Sequence, residues 1–204
     1  MKKAIIADLD NTIYPVSSIG PELFKPVFDL IADNGYENEI EDIKTQMMRI
    51  PFQKVAKKYK FDETLIEKGS RILSELAYDG DMQPFDDYAI FRVLPLKKYL
   101  LTMGFTKMQQ AKVDAMNLDA DFDEVYIADP QHSNKTKKDI IADIMQKHHY
   151  LPEEVLVIGD DAESEIKAAL ELGIDAVLYD HINANPDFAD APRIVNFGQL
   201  HQYL

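Results

Sequence analysis

The chain contains no cysteine. Disulfides, thiol nucleophiles and cysteine-ligated zinc or iron–sulfur centres are therefore excluded. Glycine is scarce, with 8 in 204 residues, and no glycine-rich phosphate loop occurs. No histidine pair has the i, i+4 helical spacing beside a glutamate that a zinc hydrolase uses. No apolar run is long enough to cross a bilayer. The opening Met1-Lys2-Lys3-Ala4-Ile5-Ile6-Ala7 mimics a secretion signal, but Asp8 and Asp10 end its apolar stretch too early for one, so a cytoplasmic location is expected. Positive charge is also in short supply: 22 Lys and Arg face 36 Asp and Glu, a formal net charge of −14. Such a surface repels nucleic acid polymers and anionic membrane. It also repels an anionic substrate, unless the site brings its own cations. A phosphate-handling site on this background needs a bound metal and a local Lys or Arg.

Apolar residues are plentiful, at 46%, enough for a sizeable core. The length fits one domain, or a core with a modest insertion. Short apolar runs at Ala4–Ala7, Tyr99–Leu101, Val125–Ala128, Val155–Ile158, Ala176–Tyr179 and Arg193–Val195 have the composition of buried strands in a parallel sheet. Helical patterns lie between them. Thr136 to Tyr150 puts Ile140, Ile141, Ile144 and Met145 on one face, with Thr136-x-x-Asp139 as a capping box. Ser164 to Leu172 follows, with Gly173 as its stop. This alternation predicts an α/β fold with a doubly wound parallel sheet. The stretch from Pro15 to Pro84 contains no strand pattern and is expected to form helices over Glu22–Asn34, Asn38–Arg49, Phe52–Tyr59 and Asp62–Tyr78. It is several times longer than a βαβ crossover needs. Residues 15–84 are thus expected to be a helical cap, inserted into a core made of 1–14 and 85–204.

Four strand runs lead into polar groups at their carboxyl ends, where open α/β sheets bind ligands. They are Asp8-Leu9-Asp10-Asn11-Thr12, Thr102-Met103-Gly104, Asp129 followed by Lys135, and Gly159-Asp160-Asp161. Asp8 and Asp10, two positions apart, would point to opposite faces if the strand continued. The chain must therefore leave strand geometry at Leu9, and Asn11 and Thr12 suit such a turn. The blander alternative is a turn at Asp10-Asn11-Thr12 with Asp8 as a helix cap. Arg49, Lys54, Lys57 and Lys58 make one stretch of the insertion basic, as a solvated helix face or as a lure for anionic substrate.

Taken in order, these clusters resemble the four signatures of the haloacid dehalogenase (HAD) superfamily. Asp8-Leu9-Asp10-Asn11-Thr12 is similar to the first, Thr102 to the second, Lys135 to the third, and Gly159-Asp160-Asp161 with Glu165 to the fourth. The resemblance implies a Rossmann-like sheet with the first strand central. It makes Asp8 the nucleophile that takes the phosphoryl group, and Asp10 the acid and base that serves the leaving group and then water. An acid at the Asp10 position favours phosphatase or phosphomutase over dehalogenase. Thr102 and the Met103 backbone N–H would hold phosphoryl oxygens, although the family usually has Asn at the Met103 position. Lys135 would neutralise Asp8 and the phosphoryl group. Lys137 and Lys138 compete for that role, and the spacing of Lys135 to Asp160 favours Lys135. Mg²⁺ would be bound by Asp8, Asp160 and the Asp10 carbonyl. Asp161 and Glu165 are alternative supports for the metal. The implied partner is a small phosphorylated metabolite, acted on by a monomer or homodimer. Thr12-Ile13-Tyr14-Pro15 with a helical cap is similar to pyrimidine 5′-nucleotidase-like members, while sugar phosphates and phosphoglycolate-like acids stay open. A phosphomutase of the same fold, or a non-enzymatic receiver-type domain that accepts phosphate on Asp129, are the alternatives.

Overall fold

A computed structural model describes residues 1–204. Strand β1 (Ala4–Ala7) is followed by the helices α1 (Gly20–Leu23), α2 (Lys25–Ile31), α3 (Ile40–Met47), α4 (Phe52–Tyr59), α5 (Glu63–Glu75) and α6 (Tyr88–Arg92). Strands then alternate with helices: β2 (Lys97–Met103), α7 (Thr106–Ala115), β3 (Glu124–Ala128), α8 (Lys137–His148), β4 (Val155–Gly159), α9 (Lys167–Glu171), β5 (Asp175–Tyr179) and β6 (Arg193–Ile194). The six strands form one sheet in the order β3-β2-β1-β4-β5-β6, and every pairing is parallel. β1 sits inside the sheet between β2 and β4, as the Rossmann-like expectation requires.

Parallel strands need cover on both faces, and the alternation of side chains along each strand supplies it. Ile5, Leu100, Leu156, Ile158 and Val177 belong to one apolar cluster of 36 buried residues, shared with helices α1 to α7. Ala4, Ile6, Leu101, Val157 and Leu178 belong to a second cluster of 16, packed against Ile140, Ile141 and Ile144 of α8 and Ala169 of α9. The larger cluster runs without a break from the sheet into Val27, Ile43, Val55 and Leu65, so helices α2 to α5 share the core of the sheet's first face. The two ends of the segment between Ile13 and Phe85 pair with each other: the Phe85 N–H donates to the Ile13 carbonyl at 2.8 Å.

Several element boundaries differ from the sequence expectation for identifiable reasons. The pattern over Glu22–Asn34 is broken at Phe24 into α1 and α2, and the turn that follows ends at Gly35 with φ +94°, which glycine adopts without cost. The stretch Asp62–Tyr78 is helical only over α5, started by the Asp62 carboxylate accepting the Leu65 N–H at 2.8 Å. α6 and α7 carry no clear apolar stripe, and the sequence pattern does not predict them.

Candidate active site

β1 ends at Ala7, and the backbone then curls: the Thr12 and Ile13 N–H groups both donate to the Leu9 carbonyl. Asn11 sits at φ +55°, a left-handed conformation that Asn tolerates better than most residues. Its side chain fixes the turn at both ends, accepting the Val16 N–H at 3.1 Å and donating to the Met48 carbonyl at 2.9 Å. The turn brings Asp8 and Asp10 to one cavity of about 580 Å³ between the sheet edge and the helices that follow β1. Thr102, Met103, Lys137 and Asp160 line the same cavity, and Phe24, Met47, Phe52, Phe105 and Met108 supply apolar wall.

Asp8 is buried and meets one cation. Lys137 Nζ, itself buried, donates to Asp8 Oδ1 at 2.6 Å and to Glu165 Oε2 at 2.7 Å. This lysine, rather than Lys135, carries the charge beside Asp8. Lys135 is exposed and pairs with Asp143 at 2.5 Å, pointing away from the cavity. The cause is the start of α8. The Thr136 hydroxyl accepts the Asp139 N–H and the Asp139 carboxylate accepts the Thr136 N–H, which ends the incoming loop at Thr136. Lys137 is then the first residue of a helix whose amino end faces the sheet's carboxyl edge, and Lys135 stays on the solvent side of the cap.

One oxygen each from Asp8, Asp160 and Glu165 lie within 4.8 Å of one another. Glu165 is buried, and Gly159 makes room for it: a β-carbon at residue 159 would stand 2.0 Å from Glu165 Oε1. That same oxygen accepts the Asp161 N–H at 3.0 Å. Asp161 turns elsewhere, accepting the Glu163 N–H at 2.9 Å and facing Lys54 at 3.6 Å. Of the two alternatives, the structure therefore brings Glu165 to the cluster and uses Asp161 to cap the turn. Crowding among these carboxylates has a cost. Burial, opposed by Lys137 and reinforced by the charges of Glu165 and Asp10, pushes Asp8 up to about 7. Burial and the charges of Glu165 and Asp8 likewise push Asp160 well above the usual carboxylate range. Burial alone would lower Lys137, but the charges of Asp8 and Glu165 hold it above an ordinary lysine.

Asp10 has the opposite surroundings. Its Oδ1 accepts from Lys112 Nζ at 2.7 Å and from the Tyr14 hydroxyl at 2.5 Å, and its Oδ2 accepts from Gln109 Nε2 at 2.8 Å. Burial would raise this carboxyl, yet the Lys112 charge and the three donors outweigh it and hold Asp10 below its ordinary value. Thr102 is buried, and its hydroxyl oxygen accepts from the same Gln109 nitrogen. The sequence motifs do not point to Tyr14, Gln109 or Lys112 as site residues. Asp129, the acceptor in the receiver-type alternative, has its carboxylate engaged by the Thr106 N–H and hydroxyl and the Gln131 N–H, all at 2.7–2.8 Å. It caps the turn into α7.

A sequence profile of the family described as haloacid dehalogenase-like hydrolase matches residues 2–173. Among curated proteins, a glyceraldehyde 3-phosphate phosphatase from Methanopyrus kandleri is 24% identical over 197 residues, covering 87% of this chain and 83% of the relative. Among solved structures, a HAD phosphatase from Thermococcus onnurineus superposes with a TM-score of 0.65 at 19% identity, covering 98% of this chain and 96% of the other. A HAD hydrolase, YfnB from Bacillus subtilis, in a magnesium-bound form, superposes with a TM-score of 0.64 at 18% identity, covering 98% and 97%. At these identities the solved structures establish a common fold.

Proposed function

Because the chain belongs to the haloacid dehalogenase-like hydrolase family, we propose that it hydrolyses small phosphate monoesters through a phosphoryl group carried on Asp8, with Mg²⁺ as its metal. The observation that carries this reading is the meeting of Asp8 with Lys137, Asp160 and Glu165 while Asp10 and Thr102 line the same cavity.

Asp8 is the nucleophile. Lys137 holds its Oδ1, leaving Oδ2 to attack phosphorus in line with the departing oxygen. Asp10, two residues on, handles protons at the opposite side of the phosphorus: one to the leaving oxygen where the alcohol needs it, one from the water that then cleaves the phosphoryl group from Asp8. Thr102 accepts its hydrogen bond from Gln109, so its own O–H remains free to donate to a phosphoryl oxygen. Lys137 offsets the negative charge that builds at phosphorus. The donor set fits magnesium. Asp8, Asp160 and Glu165 offer hard oxygen ligands, and three carboxyl groups crowded beside a single ammonium form an oxygen cluster whose charge a divalent cation would neutralise. These residues, with the Asp10 carbonyl, would hold the metal, which when bound supplies charge stabilisation for the phosphoryl group.

We read residues 15–84 as a cap over a core of 1–14 and 85–204. Its aromatic and methionine side chains give the leaving group an apolar wall, and Arg49 and Lys54 add cations to the cavity lining. A cavity of about 580 Å³ accommodates leaving groups up to the size of a nucleoside. Nucleoside monophosphates are the first substrates to test, given Thr12-Ile13-Tyr14-Pro15, and triose phosphates the second, given the named activity of the Methanopyrus relative. The purified chain is expected to turn over p-nitrophenyl phosphate and members of a phosphorylated-metabolite panel when Mg²⁺ is added. Asp8→Asn is expected to abolish turnover with an unchanged circular dichroism spectrum. A variant rate within about tenfold of wild type would remove Asp8 as the nucleophile.

A further inference from the structure

Gln109 and Lys112 lie one turn apart on α7, are both buried, and both reach Asp10. Lysine is almost never fully buried unless paired, and here the side chain is 2% exposed and has Asp10 Oδ1 as its hydrogen-bond acceptor. Gln109 makes a similar sacrifice. Its Nε2 serves both Asp10 Oδ2 and the Thr102 hydroxyl, while its Oε1 is buried with no hydrogen-bond partner. Turning the amide over would place that carbonyl oxygen against the Asp10 carboxylate, so the unsatisfied oxygen accompanies the only orientation that supports the site. Tyr14 completes the grip, with its hydroxyl on Asp10 Oδ1 and its ring 5.7 Å from Lys112 Nζ. Asp10 Oδ1 thus carries two donors and is filled. Asp10 Oδ2 carries one, and 28% of the side chain remains open. One lone pair on one known oxygen is left for the chemistry.

We propose that Lys112, Gln109 and Tyr14 are positioning residues that hold Asp10 as the proton acceptor for the hydrolytic water. This rests on the phosphatase reading above. In that step the water oxygen bonds to phosphorus, the bond between phosphorus and the Asp8 oxygen breaks, and its electron pair returns to Asp8. The water proton passes to Asp10 Oδ2, and inorganic phosphate is released. The three donors fix the orientation of the carboxylate and leave a single open site on Oδ2, which sets the direction from which the water must approach. Gln109 also couples this group to Thr102, so the proton acceptor and the phosphate-holding hydroxyl share one tether.

p-Nitrophenyl phosphate separates the two half-reactions, because its leaving group departs as an anion and needs no proton. With Mg²⁺ present, Lys112→Met is expected to lower kcat about 10–100-fold while kcat/KM stays within about threefold. Rapid quenching is expected to show a burst of p-nitrophenolate approaching one equivalent per enzyme, with the phosphoryl group trapped on the protein. Lys112→Arg is expected to recover part of kcat, since it restores a cation to the same carboxylate. Tyr14→Phe, which removes one hydroxyl and keeps the volume, is expected to give a smaller fall in kcat with the same burst, and it covers the case in which Lys112→Met does not fold. Gln109→Leu is expected to lower kcat and also raise KM, because Thr102 loses its partner. Folded variants with unchanged kcat, or with kcat and kcat/KM falling together and no burst, would overturn the positioning role and leave the phosphatase reading intact. A wild-type chain as inert as Asp8→Asn on every phosphate ester would remove that reading, and this inference with it.

Discussion

Lys137 Nζ sits between Asp8 and Glu165, in a place where neither carboxylate has access to much water. Removing one partner of a buried, hydrogen-bonded ion pair strands the other charge, at a cost of about 3–5 kcal/mol. Here two carboxylates would be stranded together. Lys137→Met is therefore expected to lower the melting temperature by several degrees and to reduce kcat/KM on p-nitrophenyl phosphate by at least about 10²-fold. Lys135→Met removes an exposed pair with Asp143 and is expected to leave the melting temperature within about a degree and kcat/KM within about twofold of wild type. Thermal melts and steady-state rates on the two proteins decide the assignment, and equal losses in both would reverse it. The difference between two lysines two positions apart is partly legible in the sequence. Thr136-x-x-Asp139 is visible there as a capping box, and a residue just inside a helix that begins at the sheet's carboxyl edge is aimed at the cleft. Motif spacing alone points two residues upstream, because it counts positions and does not see where the loop ends.

Elements are legible in proportion to how uniformly their buried residues are apolar. The apolar runs locate β1 to the residue, and β4 and β5 to within one, because nothing but Ile, Val, Leu, Ala and Tyr fills their interiors. α7 is invisible for the converse reason. Its buried residues are Met108, Gln109, Lys112 and Val113, so the two polar side chains that grip Asp10 interrupt the stripe that would have announced a helix. The helix that carries those contacts is concealed by the residues that make them. The turn after β4 shows how tightly an element is fitted to its site. Gly159 ends the strand, and Glu165 lies on the following turn with its Cγ only 2.4 Å from where a β-carbon at 159 would be. Gly159→Ala must therefore displace the glutamate and with it one oxygen of the carboxylate cluster. Disturbing a metal ligand or its support costs about 10–100-fold in metal affinity or activity, so the Mg²⁺ concentration for half-maximal activity is expected to rise in that range. A Mg²⁺ titration identical to wild type would show that Glu165 takes no part in holding the metal.

At the scale of the whole molecule, the carboxylate cluster ties folding to pH and, on the proposed function, to metal. A net charge of −14 draws cations toward the surface generally, but the specific coupling comes from Asp8 and Asp160, whose folded-state values lie above those of free carboxylates. A group that holds its proton more tightly in the folded chain contributes stability below its unfolded value that is lost as pH rises through its folded one. For Asp8 the window runs from an ordinary carboxylate value to about 7. Each pH unit of that window corresponds to about 1.4 kcal/mol, so the effect amounts to several kcal/mol at most. Asp10, Asp123, Asp129 and Glu124 pull the other way, since each is held below its ordinary value in the folded state and favours folding as pH rises. The raw pH–stability curve is the sum of both and does not isolate the cluster. The difference between curves measured with and without metal does. Bound at the cluster, Mg²⁺ would compete with the protons that Asp8 and Asp160 hold more tightly than free carboxylates do, and a ligand that binds only the folded state stabilises by RT ln(1 + [L]/Kd). At pH 5 it must compete with the Asp8 proton, and above about pH 7 that competition eases. The Mg²⁺-induced rise in melting temperature is thus expected to be small at pH 5 and to grow through pH 7 to 8. Ca²⁺ should show the same trend, because the competition lies in the carboxylates rather than in the ion. In Asp160→Asn, which removes one of the two competing protons and one oxygen donor, the rise should be smaller and its pH dependence shallower. A metal-induced shift equal at pH 5 and pH 8 in the wild-type chain would mean that the ion binds elsewhere on the acidic surface.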